Sequence, residues 1–359
     1  MNTLRRFLIR LTAIGNITAA LLLLICGLSP WLNPTQHPWA SVLGLCFPIM
    51  LALNAAFLII WLIIRPRYLW LTLLGLLPSI TFIHTYCPIN LPADKPQHAI
   101  KLLTYNTRTL DAKETNAAGL TLTNYIAQSG ADIICLQECG SKHAQQFDSV
   151  MTAHGYHIAR CDKPHSIAVY TLLPILSQHL VTYQSLTNGS WAVELLYQGD
   201  TILLINNHFE SYKLTPDDKA KYRDMIKEPE SEEAEAAART IVGKISEASC
   251  IRAPQVDSVI NYIRSSTRTS IIVCGDFNES PISYSCLRMS ERLTSAYKQS
   301  GNGPGFTYNE KGFYFRIDHI FVSPDWHTYN TYIDKSAPWS DHYPLISYIE
   351  KEKVKAEMK

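Results

Sequence analysis

Three long apolar runs open the chain, at residues 11–28, 41–64 and 68–86. Each approaches the roughly 20 residues that a helix needs to cross a hydrocarbon core, so the pattern predicts three transmembrane helices within residues 1–87. A cleaved signal peptide would account for the first run and leave the other two unexplained. Arg5, Arg6 and Arg10 precede the first run and Arg65 and Arg67 fill the turn between the second and third, whereas residues 29–40 carry no Lys or Arg. The positive-inside rule places the N-terminus and the second turn in the cytoplasm. Three crossings then deliver everything after Cys87 to the extracytoplasmic side of the plasma membrane, the inner membrane if the host is Gram-negative. Asn16 and Asn54 lie inside the runs, either as hydrogen-bonding contacts between helices or as single tolerated polar residues.

After a linker at 88–98 the pattern changes. Short apolar segments alternate with polar breaks from residue 99 to 350, followed by a charged tail at 351–359. "AIKLLTYN", "ADIICLQE", "GYHIAR", "HSIAVYT", "WAVELLY", "TILLINNHF", "TSIIVCGDFN", "FRIDHIFVS" and "SDHYPLISYI" read as strands, the fifth and sixth forming a hairpin about Gln198, Gly199 and Asp200. Residues 117–129 read as a helix ending at Gly130. An Ala- and Glu-rich insertion at 213–252 reads as a helix that is either solvated or a substrate-selecting lid, and "RAPQVDSVINYI" as an amphipathic helix after it. Strands buried on both faces, separated by helices and hairpins, predict two packed sheets with helices outside.

Charge sharpens this division. Of 32 Lys+Arg and 31 Asp+Glu, five Arg and no acid fall in residues 1–87, which leaves 27 basic and 31 acidic residues beyond them. The soluble part is therefore mildly acidic, which argues against an avid nucleic-acid binder. Among the nine cysteines no pair has zinc-site spacing. Cys139 and Cys161 follow successive strands, and an oxidising compartment would permit a bridge that spacing alone does not decide.

Several of these strands run into polar residues. "IIVCGDFNESP" carries four apolar residues into Gly275 and then Asp276 and Asn278, which on an extended chain share a face about 7 Å apart. Taken alone this is an Asx-type turn. Together with Asn106, Glu138 and Asp341 at other strand ends it makes one oxygen-rich site, suited to a hard cation such as Mg²⁺ or Mn²⁺.

The ordered series "TYN", "LQE", "NNHFES", "GDFNES", "RIDHIFVS" and "SDHYPL" resembles the endonuclease/exonuclease/phosphatase superfamily. The resemblance implies a four-layer α/β/β/α sandwich of the DNase I type and metal-dependent cleavage of a phosphoester by water. Asn106, Glu138 and Asp341 are then the metal positions. Asp276 is the base held by Asn278, His208 and His342 are the donors to phosphate, and Asp318 orients His342. His319 should face the other way. Ser166 and the pair Leu172, Leu173 stand where relatives often have a Gly and an Arg, which leaves substrate contacts there undefined. The implied partners are the lipid bilayer and a phosphoester substrate, be it a lipid head group, nucleic acid or a small ester. Protein partners are unspecified. The rival reading is a catalytically silent receptor or scaffold that keeps the fold, which should have lost an acid or the terminal histidine.

Overall fold

The computed structural model describes residues 3–352 apart from 163, 186, 229 and 311; of the expected charged tail, 353–359 lie outside the described residues. The chain divides into two compact units, one of Met1–Cys87, Tyr212–Cys250 and Ser280–Leu287, the other of Pro88–Ser211, Ile251–Glu279 and Arg288–Lys359.

In the first unit the apolar runs form α1 (Thr3–Leu28) and α2 (Ala40–Ile64), both long and apolar enough to cross a membrane. The third run is not one straight helix. It begins with a tight turn at Pro66–Tyr68 and continues as α3 (Leu69–Leu76) and α4 (Ile80–Tyr86), with a 71° bend across the break. Pro78 falls in that break, where it lacks an N–H and its ring crowds the carbonyl four residues earlier. The bent segment still runs the length of the bundle. Leu71 packs with Ile9 and Trp61 at one end, and Tyr86 with Leu23, Cys26 and Phe47 at the other. Both asparagines bond between helices: Asn16 Oδ1 accepts from Trp61 Nε1 (2.9 Å) and Thr72 Oγ1 (2.8 Å), and Asn54 Nδ2 donates to the Ala19 carbonyl (2.9 Å).

In the second unit the chain runs through β1 (Ile100–Asn106), α5 (Leu122–Ala127), β2 (Ile133–Gln137), α6 (Ala144–Ala153), β3 (His157–Cys161) and β4 (Ile167–Thr171). It continues as β5 (Ile175–Leu180), β6 (Gly189–Tyr197) and β7 (Asp200–His208); α7 (Pro216–Lys227) and the part of α8 (Glu232–Ser265) up to Cys250 belong to the first unit, and the rest of α8 and β8 (Ile271–Asp276) to the second. After α9 (Tyr284–Ser290), which starts in the first unit, come β9 (Thr294–Ser295), α10 (Ala296–Ser300), β10 (Tyr308–Glu310), β11 (Phe313–Phe315), β12 (Asp318–Val322), β13 (Trp326–Ile333) and β14 (Leu345–Lys351). Two six-stranded sheets result, ordered β13-β14-β1-β2-β4-β3 and β5-β6-β7-β8-β12-β9, with β10-β11 a separate hairpin.

The sheets meet through Leu102, Ile133, Cys135 and Val169 from one and Val193, Leu204, Ile272 and Ile320 from the other. Residues one step along, such as Leu103, Ile134 and Tyr170, pack on the outer side with Leu122, Ile126, Phe147 and Met151 of α5 and α6. Both faces are covered, which is why these strands read as unbroken apolar runs. On the outer side of the second sheet Phe277 meets Phe209 edge-on and stacks with Phe321. The pattern is the expected two-sheet sandwich with flanking helices.

Several local expectations change. The helix expected over 117–129 is only α5, because Asn116 Oδ1 takes the N–H groups of Ala118 and Leu120 in a turn and Thr121 caps the helix behind it. The strand read across 315–323 is two, with β11 ending at Phe315 and β12 starting at Asp318. β5 and β13 carry too many polar residues to have been read as strands. The insertion and the helix after it are joined, since α8 runs without interruption for 34 residues with Pro254 inside. The part at Tyr212–Cys250 clusters with the apolar helices, and Cys250 Sγ donates to the Pro34 carbonyl (3.1 Å). All nine cysteines are free, and Cys139 donates from its buried thiol to the Ser166 carbonyl (3.2 Å), so no Cys139–Cys161 bridge exists.

Candidate active site

Parallel pairing sets β1 beside β2 and β7 beside β8, so Asn106, Glu138, His208 and Asp276 all arrive at the same end of the sandwich. Gly275 makes the last approach possible. Its φ is +124°, and a Cβ there would lie 2.1 Å from the Asn207 carbonyl oxygen on the neighbouring strand. Behind the strand ends Gln137 Nε2 donates to Asn206 Oδ1 (2.6 Å), and Asn206 Nδ2 donates to the carbonyls of Leu136 (3.1 Å) and Ala168 (3.0 Å). This buried amide ladder fixes the two sheets against each other beneath the site.

Asp276 is the centre. Its side chain is 1% exposed. Oδ1 accepts from the Asn278 backbone N–H (2.8 Å), and Oδ2 accepts from Asn106 Nδ2 (2.9 Å) and Asn278 Nδ2 (3.2 Å). Two imidazoles face the same oxygen, His342 Nε2 at 3.8 Å and His208 Nε2 at 3.9 Å. Burial pushes the Asp276 carboxyl above its ordinary range, with His342 pulling the other way and Asp318 adding to the rise.

Asn106 Nδ2 also donates to Glu138 Oε1 (2.9 Å), while its Oδ1 accepts from Arg108 N (3.0 Å). The amide nitrogen of Asn106 therefore bridges the two carboxylates. Glu138 and Asn278 both sit at φ near +51°, a left-handed conformation that costs non-glycine residues energy and recurs at functional sites. Asp318 lies opposite Asp276 in the β8–β12 register and accepts from His342 Nδ1 (2.8 Å). Burial alone would lower the His342 pKa, but Asp318, Asp276 and Asp341 outweigh it and raise it to about 10. His319 leaves the site as expected, bonded through Nε2 to the Glu279 carbonyl (2.8 Å) and pushed down to about 3 by burial.

Two groups of metal-capable side chains form among the described residues, Glu138 with His208 and Asp276, and Asp276 with Asp318 and His342. Asp341 joins neither; its carboxylate takes Ser340 Oγ at 3.4 Å and its backbone carbonyl takes Asn309 N (2.7 Å). Both ring nitrogens of His208 are buried without a hydrogen-bond partner. Such a group costs about 1–3 kcal/mol unless something completes it, and carboxylate oxygens beside it are the donors a hard divalent cation takes. The residues present fit a metal-bound phosphate.

Sequence reasoning missed two contributors. The ring of Tyr308 on β10 lies edge-on to His342 at 5.2 Å, and Thr307 Oγ1 accepts the N–H of Asp318 (3.1 Å). Nothing in "FTYNEKGFYF" announces this, since it depends on where the hairpin folds. Arg252 donates from Nε (2.8 Å) and Nη2 (2.6 Å) to the Glu210 carbonyl and pairs with Glu279 through Nη1 (2.6 Å), while Gln255 accepts the Glu210 N–H (2.9 Å). It thereby holds the segments that follow His208 and Asn278. An Arg and a Gln on the apolar face of an otherwise amphipathic helix were the available signal.

A two-sheet α/β sandwich with an Asp–His pair, a second histidine and a carboxylate cluster at one end defines a metal-dependent phosphoester hydrolase. The chain belongs to the Endonuclease/Exonuclease/phosphatase family, whose model matches residues 103–342. Residues 6–86 match a family model described as a domain of unknown function. Among solved structures the chain is similar to D. rerio TDP2 complexed with single-strand DNA product, at 15% identity and a TM-score of 0.51, covering 71% of this chain and 100% of that one. It is likewise similar to truncated Caenorhabditis elegans TDP2, at 14% identity and a TM-score of 0.50, covering 71% and 99%. At these identities the likeness is one of fold. No curated protein matches the chain.

Proposed function

We propose that this is a membrane-anchored phosphoesterase that cleaves a phosphodiester or phosphomonoester by in-line attack of water, with Mg²⁺ or Mn²⁺ as the metal. The supporting observation is Asp276, a nearly inaccessible carboxylate held by two amides and faced by two imidazoles. Asp276 takes the proton of the attacking water as the oxygen–phosphorus bond forms, and Asn278 fixes its orientation. His342, kept charged by Asp318, and His208 donate to the phosphoryl oxygens, where negative charge grows as the ester bond breaks. Glu138 would be the principal metal ligand, with Asn106 a ligand only once its amide oxygen and not its nitrogen faces the ion, and with Asp341, which lies outside both clusters, contributing through water; the ion when bound would neutralise phosphate charge and stabilise the leaving oxygen. A silent receptor would not need to keep a buried Asp–His pair together with the carboxylates, so it is not favoured.

The apolar helices are read as spans. Trp31 and Trp39 flank the loop that lacks Lys and Arg and are 57% and 51% exposed, as interfacial aromatic residues are. The arginine asymmetry places the catalytic unit outside the cytoplasm. For the substrate, the acidic balance of the soluble part and the tether favour a lipid head group. The single-strand DNA in the D. rerio relative keeps nucleic acid as the second reading.

Glu138→Gln keeps the shape and removes the charge. Calorimetric titration of the full chain with Mn²⁺ should show affinity reduced by at least about tenfold. Wild-type affinity would remove Glu138 from the metal's ligands.

A further inference from the structure

The linker that leads from the apolar helices to β1 is strapped down along the catalytic unit. Gly303 N donates to the Pro88 carbonyl (2.9 Å), Asn90 N to Asn302 Oδ1 (2.7 Å), and Asn90 Nδ2 to the carbonyls of Gly301 (2.6 Å) and Lys298 (3.2 Å). Further on, Asn330 Nδ2 donates to the Ala93 carbonyl (2.9 Å), the Lys95 ammonium lies 4.1 Å over the Tyr348 ring, and Tyr197 Oη donates to the His98 carbonyl (3.4 Å). The His98 end therefore lies by the β6–β7 turn, at the pole away from Asn106. The Asn90 end lies on the loop at 301–303, which continues within a few residues to Thr307 and Tyr308 on Asp318 and His342.

Flanking the anchored Asn90, Ile89 and Leu91 are 84% and 91% exposed. Covering large apolar side chains held that far out on a pinned backbone would be favourable, and chain connectivity supplies a cover. The last apolar helix ends at Tyr86, so Ile89 lies at most about 10 Å of extended chain beyond it. The polar zone of one leaflet is roughly 6 Å deep, which puts Ile89 within reach of the acyl boundary.

We infer that Ile89 and Leu91 insert into the outer leaflet and hold the active-site end of the catalytic unit against it, so that the substrate is a phosphoester carried by a lipid of the same bilayer. This rests on the reading of the apolar helices as membrane spans, and the test separates the two. The full chain is placed in nanodiscs of phosphatidylethanolamine and phosphatidylglycerol, with an environment-sensitive fluorescent amino acid at position 89, 91, 53 in α2 or 198 in the β6–β7 turn. Lipids brominated on the acyl chain should quench the probe at 53 strongly, at 89 and 91 clearly, and at 198 not at all. Probes at 89 and 91 that behave like the one at 198, with 53 quenched, overturn the docking; an unquenched probe at 53 overturns the spans and the docking together. For the substrate, Ile89→Ser with Leu91→Ser should lower hydrolysis of the nanodisc's own phospholipid about tenfold and leave soluble bis(4-nitrophenyl) phosphate unaffected. Equal loss on both substrates, loss on neither, or no lipid turnover by the unaltered chain would overturn the lipid assignment.

Discussion

His342 keeps its proton at neutral pH because three carboxylates face it in a buried site, and Asp318 is the one in direct contact. A histidine that must be charged to donate to phosphate supports turnover below its folded pKa and loses it as pH rises through that value. Asp318→Asn removes the nearest negative charge, so the imidazolium is lost at lower pH. The alkaline limb of the pH–rate profile under saturating metal should move down and turnover should fall. Adding His342→Ala to Asp318→Asn should cost little beyond His342→Ala alone, because the two act as one unit. Additive losses in the double variant would mean that Asp318 works independently. This pair was legible in the sequence because each residue sits at the end or entry of a strand with a distinctive motif. The orientation of Asn106 was not, since which of its amide atoms faces the carboxylates is set by the Arg108 backbone N–H and by no pattern of residue types.

Elements were legible where burial imposes a period and obscure where local chemistry interrupts it. β1, β2, β7 and β8 announce themselves as apolar runs because helices and sheets cover both of their faces. The break between α3 and α4 follows from one proline within a run whose hydropathy gives no warning of the 71° bend. α8 is the converse case: an insertion ending at 252 and a separate helix after it were expected, yet one helix passes through Pro254 and carries Arg252 to the segments behind His208 and Asn278. Arg252 is completely buried and Glu279 nearly so, and removing one partner of such a pair strands the other charge. Arg252→Met should therefore destabilise the protein by about 3–5 kcal/mol in chemical unfolding. Combining it with Glu279→Gln should recover part of the loss, and no recovery would show that the Arg252 contacts to the Glu210 carbonyl dominate.

For the whole molecule, composition alone separated an arginine-flanked apolar segment from a mildly acidic remainder, and the family match covers residues 103–342 of that remainder. The assignment of Tyr212–Cys250 and Ser280–Leu287 to the helical unit was illegible, because it depends on contacts between segments remote in sequence. The proposed orientation predicts that a reporter active only outside the cytoplasm works when fused after Lys359 and is silent when inserted in the turn at Arg65–Arg67. A stable but silent fusion after Lys359 would reverse the topology. The chemistry is tested most directly by following hydrolysis of a soluble phosphodiester by the purified full chain, with Mg²⁺ or Mn²⁺, with a chelator, and with Asp276→Asn. Turnover should require the added metal, vanish with the chelator and return when metal is restored, and the variant should be slower by between about 10²- and 10⁴-fold. Undiminished turnover in the chelator, or wild-type rates from Asp276→Asn, would contradict a metal-dependent hydrolase centred on that carboxylate.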